Sequence, residues 1–169
     1  LNYIQFMTDD SVKVEPIICR KDVKDLLFEN LMMFFTGITR DASSVLSDQV
    51  KNTEMNMQVL KSMRDMTKRA INVLHDGTDI DEFGKLLHEG WISKKQLAGN
   101  ISNDTIDSYY EAARNAGAIG GKILGAGGGG FLLLYVRKED RKKVRNALKN
   151  LIELPFSFDN EGSKIVYVG

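Results

Sequence analysis

Bare backbone is the first feature of this sequence that could do chemistry. From Gly125 to Gly130 every residue but Ala126 lacks a side chain, and Phe131 to Val136 follows as an unbroken apolar run. Each glycine costs about 0.5–1 kcal/mol of backbone entropy relative to alanine, so such a cluster must serve close approach or positive φ angles. Exposed N–H groups in succession can form an anion-binding concavity. Gly125, Gly127 and Gly130 also satisfy Gly-x-Gly-x-x-Gly. A dinucleotide fingerprint, however, needs a helix opening after the glycines, and here a strand follows them. No Gly-Lys-Ser/Thr follows either, which excludes a Walker-type loop. A glycine-rich lead into a buried strand, needed only so that two elements pack closely, accounts for the same residues.

The second group lies between Asp79 and Ala98. At 100° per residue from Phe83, the side chains of Leu86, Leu87, Gly90, Leu97 and Ala98 fall within about 60° of it, which makes this the expected buried face. Lys94 falls at its centre, where an ammonium is costly unless it snorkels outward or meets an anion. Trp91, Lys95 and His88 lie successively further round one flank. Two cations, an aromatic ring and an imidazole within two turns suggest the wall of a cleft for an anionic, ring-shaped ligand. Taken singly, His88 reads equally as a structural histidine and Trp91 as a core anchor. A third group, Thr36 to Ser44, supplies small polar residues and Arg40, with Asp41 as a helix N-cap; an ordinary capped loop would look the same.

The elements that must position these groups follow from periodicity and turn chemistry. Leu1 to Phe6 and Val12 to Ile18, joined by Thr8-Asp-Asp-Ser11, predict a hairpin. Lys21 to Asn30 predicts a short helix and Leu31 to Phe35 a strand. Val59, Met63, Met66, Ala70 and Val73 recur at steps of four and three, one face of a long helix over Ser44 to His75 that Asp76-Gly77 ends. Asn103 or Asp104 caps a helix with Ile106, Tyr109, Tyr110 and Ala113 on one face and Gly117 just past its end. After the strand at Phe131 to Val136, Lys138 to Leu151 predicts a surface helix with Val144, Leu148 and Leu151 inward. Phe156 to Phe158 and Lys164 to Val168 read as strands around a turn. The mixed order predicts one α+β domain with helices on one face of an antiparallel sheet.

Composition narrows the partners. The chain has 23 basic and 23 acidic residues among 169, so no broad attraction to nucleic acid or membrane is expected and an anion site must be local. A single cysteine, Cys19, excludes an internal disulfide and fits a reducing compartment. Cys19, His75 and His88 match no zinc spacing. No signal-like or membrane-length apolar run is present, so a cytoplasmic protein is expected. The chain starts at Leu1 and enters strand-like sequence at once, which suggests a piece of something longer.

Gly117-Ala-Ile-Gly-Gly-Lys-Ile-Leu-Gly-Ala-Gly-Gly-Gly-Gly-Phe131 resembles the C-terminal glycine motif of the GHMP kinase superfamily, which includes galactokinase, homoserine kinase and mevalonate kinase. Leu87-His-Glu-Gly-Trp91 with Lys94-Lys95, and Phe35-Thr-Gly-Ile-Thr-Arg40 with Ala42-Ser43, resemble its D-glycero-D-manno-heptose 7-phosphate kinase branch. The resemblance implies a ferredoxin-like C-terminal domain, with the hairpin over 1–20 belonging to an N-terminal half. It implies ATP-dependent phosphorylation of the anomeric hydroxyl of a heptose 7-phosphate. ATP and Mg²⁺ would be held mainly by that other half, which carries the main phosphate loop and the catalytic aspartate; no stretch here matches that loop. The expected contribution of this chain is a phosphate cradle at Gly125, Gly127, Gly128, Gly129 and Gly130. Arg40, His88, Trp91, Lys94, Lys95 and Lys122 would bind substrate, and no catalytic base is expected. Other readings are an L-fucose or galactose kinase, and a non-enzymatic α+β small-molecule-binding domain.

Overall fold

The computed structural model describes residues 1–159, Ile165 and Tyr167. Its first element is the expected hairpin. β1 (Asn2–Phe6) and β2 (Val12–Pro16) pair antiparallel from Asn2↔Pro16 to Phe6↔Val12. Period two puts Ile4, Phe6, Val12 and Val14 on one face of the ribbon, and all four are exposed.

The main sheet is antiparallel with order β4-β5-β3-β6, formed by β3 (Leu31–Phe35), β4 (Ala118–Ile123), β5 (Phe131–Val136) and β6 (Ile152–Glu153). Among the described residues six α-helices accompany it: α1 (Lys21–Glu29), α2 (Ala42–Lys51), α3 (Met57–Asp76), α4 (Asp81–Lys95), α5 (Asp104–Asn115) and α6 (Arg141–Ala147). This is the α+β architecture expected from the sequence. Alternation along β5 divides the interior. Leu132, Leu134 and Val136 join Met32, Phe34, Trp91, Ile106, Tyr110 and Val144 in the larger core, while Tyr135 joins Val23, Leu27, Leu74 and Ile80 in a smaller one. The Tyr135 hydroxyl accepts from Asn30 Nδ2 at 2.9 Å and donates to Asp81 Oδ1 at 3.0 Å, so the phenol that crosses into the smaller core is paired.

Three expectations are corrected. The single helix over Ser44 to His75 is two helices, broken at residues 52–56. Asn52 and Asn56 each donate an amide hydrogen to the Leu97 carbonyl, at 3.2 and 3.1 Å, and these bonds hold the break against the end of α4. The apolar stripe of α3 is as predicted, and Gly77, at φ 64°, caps its end. Second, residues before the glycine loop form strand β4, which glycine content had hidden. Third, the segment after β5 is a 3₁₀ turn (Lys138–Asp140) followed by the short α6, and Phe156 to Phe158 form no strand. The strand expected at Lys164 to Val168 and the turn before it lie outside the described residues. Among the described residues, no helix is long and apolar enough to cross a membrane.

Candidate functional site

The glycine loop is the connection between β4 and β5, and its conformation needs glycine. Gly125, Gly127, Gly128 and Gly130 have φ angles of 72°, 112°, 74° and 87°, a region that Cβ-bearing residues rarely enter. Gly129 has no positive φ; a Cβ there would stand 2.5 Å from the Ile38 carbonyl oxygen. Two donors fix the loop. Gly128 N–H bonds the Ile101 carbonyl at 2.6 Å and Gly130 N–H bonds the Ile38 carbonyl at 2.8 Å. Thr36 completes the frame, its N–H and its hydroxyl both donating to the Gly130 carbonyl at 2.9 and 2.8 Å. The N–H groups of Gly125, Ala126, Gly127 and Gly129 have no acceptor among the described residues.

Arg40 lies against this loop. Its guanidinium donates to the Asn100 carbonyl at 2.6 Å and packs so closely on Gly128 that any Cβ there would overlap it. No carboxylate pairs with Arg40 among the described residues. Asp41 caps α2, its carboxylate accepting from Ser43 N–H at 3.0 Å, and α2 is anchored by fully buried Val45. Arg40 thus leaves a fixed turn. Arg40, Thr39, Ala42 and the loop from Leu124 to Phe131 enclose a cleft of about 330 Å³. Among the described residues, a cation without a carboxylate partner and four residues whose N–H groups lack an acceptor line this cleft, a set suited to a phosphoryl group.

The candidates on α4 do not form the single cleft drawn from their spacing. Trp91 is 1 % exposed in the main core and its indole N–H has no partner among the described residues, so it is a core anchor and not a ligand-facing ring. Lys95 pairs with Asp107 at 3.0 Å, and that carboxylate also takes the Ser102 hydroxyl. His88 Nδ1 is 2.8 Å from the Tyr110 hydroxyl, with the two rings stacked. Burial and the nearby Arg114 hold the His88 imidazole below its ordinary pKa, and burial pushes the Tyr110 phenol up to about 12. That pair is a neutral, internally satisfied contact. Lys94 alone reaches the loop, donating from Nζ to the Gly125 carbonyl. Lys122, from β4, lies beside it; burial, then the Lys122 charge, depresses the Lys94 ammonium to about 8, and burial lowers Lys122 as well.

Leu86, Leu97 and Ala98 are buried and Phe83 and Leu87 pack against the smaller core, as the wheel predicts, but α4 also packs on β4 through Gly84 and Gly120, which widens the buried face beyond the expected stripe. With no Cβ on either residue the helix drops onto the strand, and Gly84, Leu86 and Trp91 become its buried residues. Sequence reading missed Asn100 and Gln49, whose backbone carbonyl and side-chain amide hold Arg40 and the Ala126 carbonyl. Neither sits in a pattern that marks it. A larger cleft of about 710 Å³ lies elsewhere, against β3 and α6. Its Arg145 is paired with Glu153 and its Arg141 with the Glu29 and Leu31 carbonyls, and none of its lining residues belongs to the glycine loop. Among the described residues, no group of three or more His, Cys, Asp or Glu could hold a metal ion.

Known proteins share this framework. The D-glycero-α-D-manno-heptose 7-phosphate kinase of Campylobacter jejuni is 29% identical over 96% of this chain and 49% of its own length. The galactokinase of Pyrococcus furiosus is 24% identical over 85% of this chain and 46% of its own. This chain therefore spans about half the length of these two relatives. The crystal structure of a D-glycero-D-manno-heptose 1-phosphate kinase from Bacteroides thetaiotaomicron superposes with a TM-score of 0.61 at 27% identity, covering 93% of this chain and 42% of that one. A putative sugar kinase from Campylobacter jejuni does so at 0.66 and 28%, covering 95% and 46%. Residues 68–153, which run from the middle of α3 through β4, the glycine loop and β5 to β6, match the C-terminal model of the GHMP kinases, and the chain belongs to that family.

Proposed function

We propose that this chain is the substrate-side half of an ATP-dependent sugar-phosphate kinase that phosphorylates the anomeric hydroxyl of D-glycero-D-manno-heptose 7-phosphate. The γ-phosphoryl group of ATP passes to the anomeric oxygen, ADP leaves, and the hydroxyl proton goes to a base outside this chain. The observation that carries the reading is the cleft at the glycine loop, lined, among the described residues, by Arg40 without a carboxylate partner and by four N–H-bearing residues without acceptors. Phosphoryl transfer asks of a protein mainly positioning and charge stabilisation. Arg40 and the loop supply both, on a frame that Thr36, Ile38 and Ile101 hold still.

The metal, the main nucleotide loop and the catalytic base are assigned to a separate N-terminal half, as the resemblance to the GHMP kinases implies, in a cytoplasmic enzyme. The exposed apolar face of the β1–β2 ribbon would then be covered by that half. Relatives named as an L-fucokinase and a galactokinase keep those substrates as the competing reading. Phosphorylated substrate is favoured by Lys94 and Lys122, two ammonium groups at the loop without carboxylate partners among the described residues, which a neutral sugar would leave uncompensated.

ADP release from the complete polypeptide tests this. Turnover with heptose 7-phosphate at about 1–100 s⁻¹ is expected, with far slower turnover of L-fucose or galactose, and none by residues 1–169 alone. Preference for either neutral sugar, or ordinary turnover by this chain alone, would sink the proposal.

A further inference from the structure

We infer that Lys94 and Lys122 together form the receptor for the phosphate that the sugar already carries, at the opening of the glycine loop and apart from the Arg40 cleft. The inference rests on the sugar-phosphate kinase reading. Lys122 and Gly120 point to the same side of β4 by period two, and that side meets α4: a Cβ on Gly120 would stand 2.9 Å from the His88 nitrogen. Lys94, in the last turn of α4, reaches Gly125, three residues along the chain from Lys122. The Lys94 ammonium at the Gly125 carbonyl and Lys122 on the α4 side of β4 thus stand at the same end of the glycine loop, and the Lys122 charge adds to burial in lowering the Lys94 pKa. Neither has a carboxylate partner among the described residues.

Two half-buried cations beside each other destabilise the free protein unless an anion joins them. Their neighbour shows the contrast. Lys95 is neutralised by Asp107, so the fold supplies a carboxylate one residue away and omits it here. An ammonium carries three donors. Lys94 commits one to the Gly125 carbonyl, and the rest of its donors and those of Lys122 remain for the ligand. A phosphate monoester dianion matches this set in charge and in acceptors. The bond to Gly125 also links occupancy to the loop, since the lysine that grips the phosphate holds the backbone whose next residues line the cleft.

The test uses the complete kinase and three ligands: heptose 7-phosphate, the unphosphorylated heptose and ATP. Lys94→Met and Lys122→Met keep the aliphatic stems and remove the charge. Each should weaken heptose 7-phosphate binding about ten- to hundred-fold. Affinity for ATP and for the unphosphorylated heptose should not change, and Lys95→Met should bind like wild type. Without ligand, both variants should melt at or above the wild-type temperature, and Lys94→Arg and Lys122→Arg should retain most of the affinity. Wild-type affinity for heptose 7-phosphate in both methionine variants overturns the receptor while leaving the kinase reading intact. Should the wild-type enzyme fail to turn over heptose 7-phosphate, inorganic phosphate becomes the probe. A phosphate-induced rise in melting temperature lost in both methionine variants would support the receptor and discard only the substrate assignment; a rise that persists in both would overturn the receptor too.

Discussion

Two glycine clusters lie within a few residues of each other, and the fold uses them for opposite purposes. At Gly84, Gly120 and Gly121 the backbone is ordinary and the missing atom is what matters. A Cβ on Gly84 would stand 2.6 Å from the Tyr135 ring, and one on Gly120 would overlap the Gly84 carbonyl. Gly84 and Gly120 let α4 lie on the sheet, and Gly121 lets β4 lie close against Leu133 and Leu134 of β5. In the loop the reverse holds at Gly125 and Gly130, where a Cβ would meet nothing within 4 Å but φ is 72° and 87°. There the dihedral is needed, and among the described residues the loop leaves the N–H groups of Gly125, Ala126, Gly127 and Gly129 without acceptors. Glycine count alone could not separate packing from ligand binding. The two uses occur side by side, and φ together with the position of the absent Cβ tells them apart.

The largest effect should come from the packing cluster. Gly120→Ala forces α4 off the strand on which most of the core depends, and overpacking of this kind costs about 3 kcal/mol or more when the neighbour is backbone. A lowered urea midpoint, with any residual activity lost only in proportion to unfolding, is expected. An unchanged midpoint would mean that the helix does not approach β4 as described.

Next is the loop. Gly129→Val pushes the Ile38 carbonyl away, and Gly128→Val displaces Arg40 while adding a strained positive φ. Both should fold with modest loss of stability, yet kcat/KM of the complete enzyme should drop by about 100-fold, the scale expected when a positioned group moves by an ångström. Wild-type kcat/KM in a folded variant would move the loop into the packing class, and the contrast between the clusters would disappear.

Arg40→Met separates the cleft's charge from its shape. It removes the donor to Asn100 and the cation beside the four open N–H groups while keeping an apolar stem against Gly128. Binding of ATP or of the transferring phosphate should weaken by about 1.5–3 kcal/mol, the range for charge-assisted bonds. An unaltered KM for both substrates would count against a phosphoryl site at this loop.

The smallest effect is on pH dependence. Burial and the Lys122 ammonium hold Lys94 near 8, below its ordinary 10.5, so the unfolded chain binds that proton more tightly. The penalty is fully present below about pH 8 and is relieved as pH rises toward about 10.5, so stability rises with pH through that window. Lys122, itself lowered by burial, titrates beside it, and no carboxylate pairs with either among the described residues. Lys94→Met should therefore be the more stable protein at pH 7, with its advantage shrinking above pH ~8. A difference that stays constant from pH 7 to 10.5 would mean that Lys94 is freely hydrated.

What the sequence by itself determined is local. Asp41 and Asn103 as caps, Gly77 and Gly117 as helix ends, the hairpin turn at Asp9 and the strand after the glycines all depend on neighbours in the chain, whose chemistry acts within a turn of helix or a turn of backbone. The glycine loop, in which Gly125, Gly127, Gly128 and Gly130 adopt positive φ, was legible for the same reason. Tertiary structure decided what depends on approach between distant segments. Gly120 fixed how α4 rotates on the sheet, and that rotation buried Trp91, sent Lys95 to Asp107 and left Lys94 with Lys122. At the break in the long helix Asn52 and Asn56 both donate to the Leu97 carbonyl, a contact between distant segments that periodicity does not encode. A helical wheel gives the angles between side chains but not which angle faces the sheet; that is set by where two backbones can come closest, and here the decisive atoms are the two that Gly84 and Gly120 do not have.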